Sequence, residues 1–193
     1  MNKEYTVARK TRETDITLTL ALDGVGSFAG STGIGFLDHM LSAFAVHGGF
    51  ALSLAMTGDL EVDCHHSVED CAIVLGQAFA RAVAERGAIT RYGSFYIPMD
   101  EALAFCSVDV SGRPYLVFDA SFHNQSVGNL DCCMVGEFFR AFAYNAGLTL
   151  HIRSLYGEND HHIIEAIYKA AAHALAAALV PRSGDVLSTK GCL

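Results

Sequence analysis

The sequence lacks most of the signals that would assign a chain of this size to a common binding class. Basic residues are few: 13 Lys and Arg stand against 21 Asp and Glu, a formal net charge of −8. A protein that grips nucleic acid by its phosphates carries a basic stripe or patch, so no nucleic-acid partner is expected. There is no long apolar run. The longest near the C-terminus, "ALAAALV", is far below the ~20 residues that span a bilayer, so no membrane partner is expected. The opening "MNKEYTVARKTRET" has no apolar targeting segment. Cysteines occur at 64, 71, 106, 132, 133 and 192, but no CxxC pair exists. These absences lead to the expectation of reduced thiols in a cytoplasmic chain. Linker-like and low-complexity stretches are also missing.

What is present is a chain of 193 residues, 51% hydrophobic. That length can bury a core without disulfides or metal staples. The hydrophobic share is high for a monomer and points to buried subunit surface. An acidic protein can still hold an anionic small molecule through a few local Lys and Arg.

Alternation and turn residues predict strands over 5–9, 15–22, 50–56, 101–110, 114–119 and 148–154. Helical spacing predicts helices over 37–47, 66–86, about 134–146 and about 160–180, the last stopped by Pro181. The order repeats. When "HMLSAFAVHGGFALSL" (39–54) is set above "EFFRAFAYNAGLTLHI" (137–152), Ala43, Phe44, Ala45, Gly49 and Leu52 fall on Ala141, Phe142, Ala143, Gly147 and Leu150. The chain therefore reads as a duplicated α+β unit of two or three strands, helix, strand, helix. The halves are residues 1–90 and 91–193, together one compact domain.

Each half carries the same short motif, "HHSVE" at 65–69 and "HHIIE" at 161–165. At a helix start, residues i and i+4 share a face while i+1 points about 100° away. His65 with Glu69, and His161 with Glu165, can each chelate an ion. His66 and His162 face elsewhere, which suits two helices that each lend a histidine to the other's metal. His39 aligns with Glu137 and adds a fourth donor to each shell. One candidate shell is His39, His66, His161 and Glu165. The other is His65, Glu69, Glu137 and His162. The two helices can belong to one subunit or to neighbours. Mixed imidazole and carboxylate shells with open positions fit Mn, Fe or Zn. His47 ends the first helix of the first half and is a further candidate to face the site.

With these motifs in view, "GFLDHML" (35–41), "HHSVED" (65–70), "SGRP" (111–114), "LHI" (150–152), "GENDHHIIEA" (157–166) and "STKG" (188–191) resemble the imidazoleglycerol-phosphate dehydratase family. The resemblance runs from "RET" at 12–14 to "STKG". No phosphatase-like domain accompanies it, so the stand-alone form is expected. Two departures stand out: many members have His where this chain has Glu137, and Asp or Thr where it has Cys64. The resemblance implies a duplicated fold like domain 2 of ribosomal protein S5. It also implies a hydro-lyase of histidine biosynthesis that converts imidazole glycerol phosphate to imidazole acetol phosphate. The implied cofactor is two Mn²⁺ per active site, and the implied assembly is a 24-subunit homo-oligomer with sites between subunits. By the same resemblance Glu13 moves protons, with Glu165 close enough to assist. Arg91, Arg113, Lys169, Ser188 and Lys190 take the phosphate, and Glu13, His39, His47 and His65 also face the substrate. Lys169 lies two helical turns beyond His162, on roughly its face.

The implied reaction removes a proton from a carbon with no adjacent carbonyl, so the imidazole ring must be the electron sink. Two metals, one near each ring nitrogen, would stabilise an imidazolate able to expel the neighbouring hydroxyl; the enol then becomes the ketone. The alternatives are a dinuclear metallohydrolase of a small phosphoester and a non-catalytic, metal-stabilised assembly.

Overall fold

The computed structural model describes residues 3–188. The first half contains β1 (Tyr5–Lys10), β2 (Thr14–Ala21), β3 (Ser27–Ser31), α1 (Gly35–Gly48), β4 (Ala51–Gly58) and α2 (His65–Ala84). The second contains β5 (Tyr92–Met99), β6 (Ala102–Val110), β7 (Tyr115–Asp119), a small ribbon of β8 (Ser126–Val127) and β9 (Leu130–Asp131), α3 (Cys133–Ala146), β10 (Leu148–Tyr156) and α4 (Asp160–Ala178). The two main sheets have matching orders, β1-β2-β4-β3 and β5-β6-β10-β7. In each, the outer pair at the chain's parallel edge is β3 with β4 or β7 with β10, and the other pairs are antiparallel.

The sequence explains the layering. In β6, "ALAFCSVDV" alternates buried and half-buried residues along its length, as a sheet with one covered face requires. The helices cover those faces. α2 packs on its own sheet and on α3; α4 packs on the second sheet and on α1. The helices thus lie between the sheets, and one continuous core runs through both halves. Phe44, Phe50, Phe79 and Phe142 meet there edge to face across the boundary between the halves. Gly49 and Gly147, matched in the sequence repeat, both cap their helices at φ 68°. Gly93 lets β5 lie tight against α4: an added Cβ would stand 1.9 Å from the Ala174 carbonyl oxygen.

The structure adds β3, β5 and the β8–β9 ribbon to the elements the sequence predicts. β3 and β5 are edge strands. β5 contains Gly93 and Pro98, and β3 is "SFAGS", a composition that weakens a strand signal and is tolerated at an edge.

The start of α4 is tied down by Asp160, only 1% exposed. Its carboxylate accepts the backbone N–H groups of His123 (3.0 Å) and Asn124 (2.7 Å) and the Asn124 side-chain amide (2.8 Å). Burial pushes its pKa up, but these donors outweigh burial and hold it below the usual value. Asp160→Ala strands those donors and is expected to cost about 3 kcal/mol. Thermal melts check this; an unchanged melting temperature would contradict it.

Candidate metal and substrate site

The helix starts carry the histidine pairs, and side chains just ahead of them fix the first turn. The Asn159 side chain caps α4 by accepting the His161 N–H at 2.9 Å. Asp63 accepts the His65 N–H at 2.7 Å in the matching place before α2.

At the start of α4 three donors converge. Glu165 Oε2 lies 3.2 Å from His39 Nε2 and 3.3 Å from His161 Nε2. Ligands at right angles about an ion ~2.1 Å away stand ~3 Å apart, so this spacing fits one divalent ion. Among the described residues this is the one group of three or more His, Cys, Asp or Glu close enough to share an ion. Phe36 packs edge-on against the His161 ring at 4.9 Å and walls one side. Burial raises the pKa of Glu165, but Lys169, whose Nζ is 2.7 Å from Oε1, and His39 more than offset this and leave it lowered. Glu165 is therefore a carboxylate at neutral pH and ready to ligate.

The other predicted ligands are arranged differently within one chain. His66 turns to Asp59, its Nδ1 2.9 Å from Oδ2, and its Nε2 is 3.7 Å from Glu13 Oε1. The Asp59 hydrogen bond raises the His66 pKa. His65 and Glu69 face each other at 3.9 Å, a looser i, i+4 pair. Glu137 is engaged by Arg140 at 3.3 Å. His162 Nδ1 is 2.7 Å from Glu101 Oε2, which raises its pKa. One chain thus assembles three of the four donors of the first candidate shell and leaves the second open.

Glu13 sits on the turn between β1 and β2 with its side chain half exposed. The turn beneath it is rigid. Asp70, buried at the second turn of α2, accepts from Arg9 Nε at 2.9 Å and from Thr14 Oγ1 at 2.5 Å, one on each side of the turn.

The predicted phosphate residues fall in two places. Arg91, Arg113 and Ser188 line an open cleft of about 710 Å³ together with Arg182. Arg91 is buried and has φ 75°, an uncommon conformation for a non-glycine residue. Its backbone N–H bonds Ala178 O and its carbonyl accepts the Val110 N–H, so the conformation is held from both sides. Strain of this kind concentrates at functional sites. Among the described residues its side chain donates twice to Asp109 (2.6 and 3.1 Å) and once to Leu187 O. Arg113 is mostly exposed and touches Asp109 only at 3.4 Å. Lys169 lies instead beside Glu165, near Met99. His47 lies farther along the α1–α4 seam, 3.2 Å from His173, and burial lowers its pKa. Lys190 lies outside the described residues.

Asp59, Glu101 and Asp70 escape a reading of the sequence that looks for donors alone. Asp70 stands inside the quoted "HHSVED". Glu101 is the repeat counterpart of Glu13, a signal that needs the strand register to be seen.

Comparison with known proteins gives a consistent result. The family model described as imidazoleglycerol-phosphate dehydratase matches residues 32–175. The imidazoleglycerol-phosphate dehydratase of Acetivibrio thermocellus is 54% identical over 100% of both chains. That of Desulfotalea psychrophila is 51% identical over 100% of this chain and 97% of its own. Among solved structures, the Staphylococcus aureus enzyme superposes with a TM-score of 0.85 at 42% identity, covering 93% of this chain and 100% of its own. The Pyrococcus furiosus enzyme gives 0.84 at 37% identity, covering 97% and 100%.

Proposed function

Because the chain belongs to the imidazoleglycerol-phosphate dehydratase family, hydro-lyases of histidine biosynthesis, we propose that it dehydrates imidazole glycerol phosphate at a two-metal site completed by neighbouring copies of itself. The observation that carries this reading is a separation. The donor triad stands at the start of α4, and the arginine cleft adjoins its end, where Arg91 bonds Ala178 O. The 17 residues from His161 to Ala178 put about 25 Å between them at the helical rise. A small phosphorylated imidazole cannot bridge that distance. A triad from one copy and a cleft from another can meet around it, and the high apolar content supports such an assembly, with 24 subunits as the expected form.

His39, His161 and Glu165 would hold one ion, with His66 of another copy as the fourth donor. His65, Glu69, Glu137 and His162 would hold the second. Mn²⁺ suits these mixed shells, and the ions would supply Lewis-acid stabilisation of negative charge on the imidazole ring. Glu13 removes and returns protons at the side-chain carbons. Arg113, Arg91 and Ser188 hold the phosphate. Lys169 keeps Glu165 ionised beside the ring. No helix of the described residues is long and apolar enough to cross a membrane.

The test is turnover of imidazole glycerol phosphate with metal stripped and then with Mn²⁺ restored. Ketone formation that vanishes on stripping and returns with Mn²⁺, without free phosphate, is expected. Release of phosphate in place of ketone would instead identify a metallohydrolase.

A further inference from the structure

The duplication places two glutamates in equivalent positions and treats them differently. Leu52 and Leu150 match in the repeat; Leu20 pairs with the first and Val108 with the second. Equally far upstream of Leu20 and Val108, Glu13 and Glu101 each directly precede the first residue of a central strand, Thr14 or Ala102. The turns that carry them differ in length. Three residues, 11–13, join β1 to β2, whereas two, Asp100 and Glu101, join β5 to β6. The tighter turn forces Asp100 to φ 47°, since two-residue hairpin loops require positive φ at the first central residue.

The shorter turn also changes what the carboxylate can reach. Glu101 Oε1 accepts the backbone N–H groups of Glu158 (3.1 Å) and Asn159 (2.8 Å), and Oε2 takes His162 Nδ1 at 2.7 Å. In the first half, the backbone carbonyl of Glu13 accepts the Asp59 N–H instead. Asp59, not Glu13, then holds the histidine there, through His66 Nδ1. Glu13 is left with a loose 3.7 Å approach to His66 Nε2.

We propose that Glu101 is a positioning residue that fixes His162 with its Nδ1 protonated and its Nε2 bare, a task that its counterpart Glu13 does not perform for His66. A metal-ligating imidazole needs one bare nitrogen and a partner that accepts from the other. Glu101 cannot swing away, because two backbone donors at the α4 cap anchor its other oxygen. The competing carboxylate, Asp100, is exposed and stands 3.6 Å from Nε2, beyond hydrogen-bond reach. The link to metal rests on the reading of His162 as a ligand; the link to the imidazole proton does not.

Glu101→Gln separates positioning from support. The Gln oxygen still accepts the two backbone N–H groups, so the turn keeps its anchor. Its amide then faces Nδ1 as a donor, and His162 must carry its proton on Nε2. In metal-free, ¹⁵N-histidine-labelled assembled protein at alkaline pH, with the His162 signal assigned by its loss in His162→Asn, the wild type is expected to show a protonated Nδ1 and a bare Nε2, and Glu101→Gln the reverse. Mn²⁺ affinity measured by chelator competition is expected to fall about 10- to 100-fold with the thermal melt unchanged. The same tautomer in both proteins would overturn the proposal. A reversed tautomer with unchanged Mn²⁺ affinity would uphold Glu101 as the residue that sets His162 and remove His162 from the metal shells.

Discussion

Glu13→Gln is expected to lower kcat by about 10²- to 10⁴-fold, the range a positioned proton-transfer group supplies. KM, Mn²⁺ content and the size of the assembly should stay near wild type. The expectation follows from how the turn is built. Asp70 pins Arg9 on one side and Thr14 on the other, and Thr11 Oγ1 accepts the N–H groups of Glu13 and Thr14. The backbone is therefore set without help from the Glu13 side chain. Gln fills the same space and cannot exchange a proton with carbon, so only the chemical step should suffer. Steady-state kinetics on the Mn²⁺-loaded assembly checks this. Wild-type kcat in the variant would remove Glu13 from the mechanism; a parallel loss of Mn²⁺ would make it a ligand instead.

Glu165→Ala is expected to abolish Mn²⁺ retention at the triad and cut turnover by about 10³-fold or more, because several kcal/mol of charge stabilisation disappears with the ion. Both His39 and His161 converge on this one carboxylate oxygen. The variant should also be less stable by about 3 kcal/mol, since Lys169, with its side chain only 16% exposed, loses its partner. That difference carries a pH signature. Lys169 and His39 hold the Glu165 pKa below its ordinary 4.5 against the opposing effect of burial. A carboxylate with a depressed pKa contributes stability that is fully present above its unfolded pKa and is lost as pH falls through the folded one. The gap between wild type and Glu165→Ala, measured in metal-free protein, should be full near pH 7 and shrink as the pH falls below the ordinary 4.5. A gap that widened in acid, or a variant with normal Mn²⁺ and turnover, would contradict this role.

The His39–His161–Glu165 grouping was partly legible in the sequence because donors spaced along a helix leave a local mark. HHxxE occurs twice at helix starts, and an i, i+4 spacing on a helix is geometry that needs no tertiary information. The register shared by His39 and Glu137 came from the repeat alone. The edge strands were harder to read. β5 has Pro98 and Gly93 where a central strand would have neither, and its place is fixed by pairing with β6 and by contact with α4. β3 could have been inferred from β7, since each half needs the same parallel edge. The orienting carboxylates were hidden for another reason. Glu101 stands on a turn one residue shorter than its counterpart, and Asp59 on a β4–α2 connection of six residues where the other half has three, and a change of aim of that kind appears only in three dimensions. The predicted phosphate residues were divided as well: Arg91, Arg113 and Ser188 meet in the cleft, while Lys169, expected beside His162, pairs with Glu165 of the triad.

The measurement that bears most directly on a site shared between copies is complementation. Glu165→Ala disables the triad and Arg113→Ala the cleft, so each homogeneous assembly should be nearly inactive. Co-expressed at equal levels, the two chains should form mixed assemblies in which about a quarter of the sites draw an intact triad from one copy and an intact cleft from another. Turnover recovering to that fraction of wild type is the predicted result. Mixed assemblies as inactive as either parent would mean that each chain builds its own site, and would contradict the account.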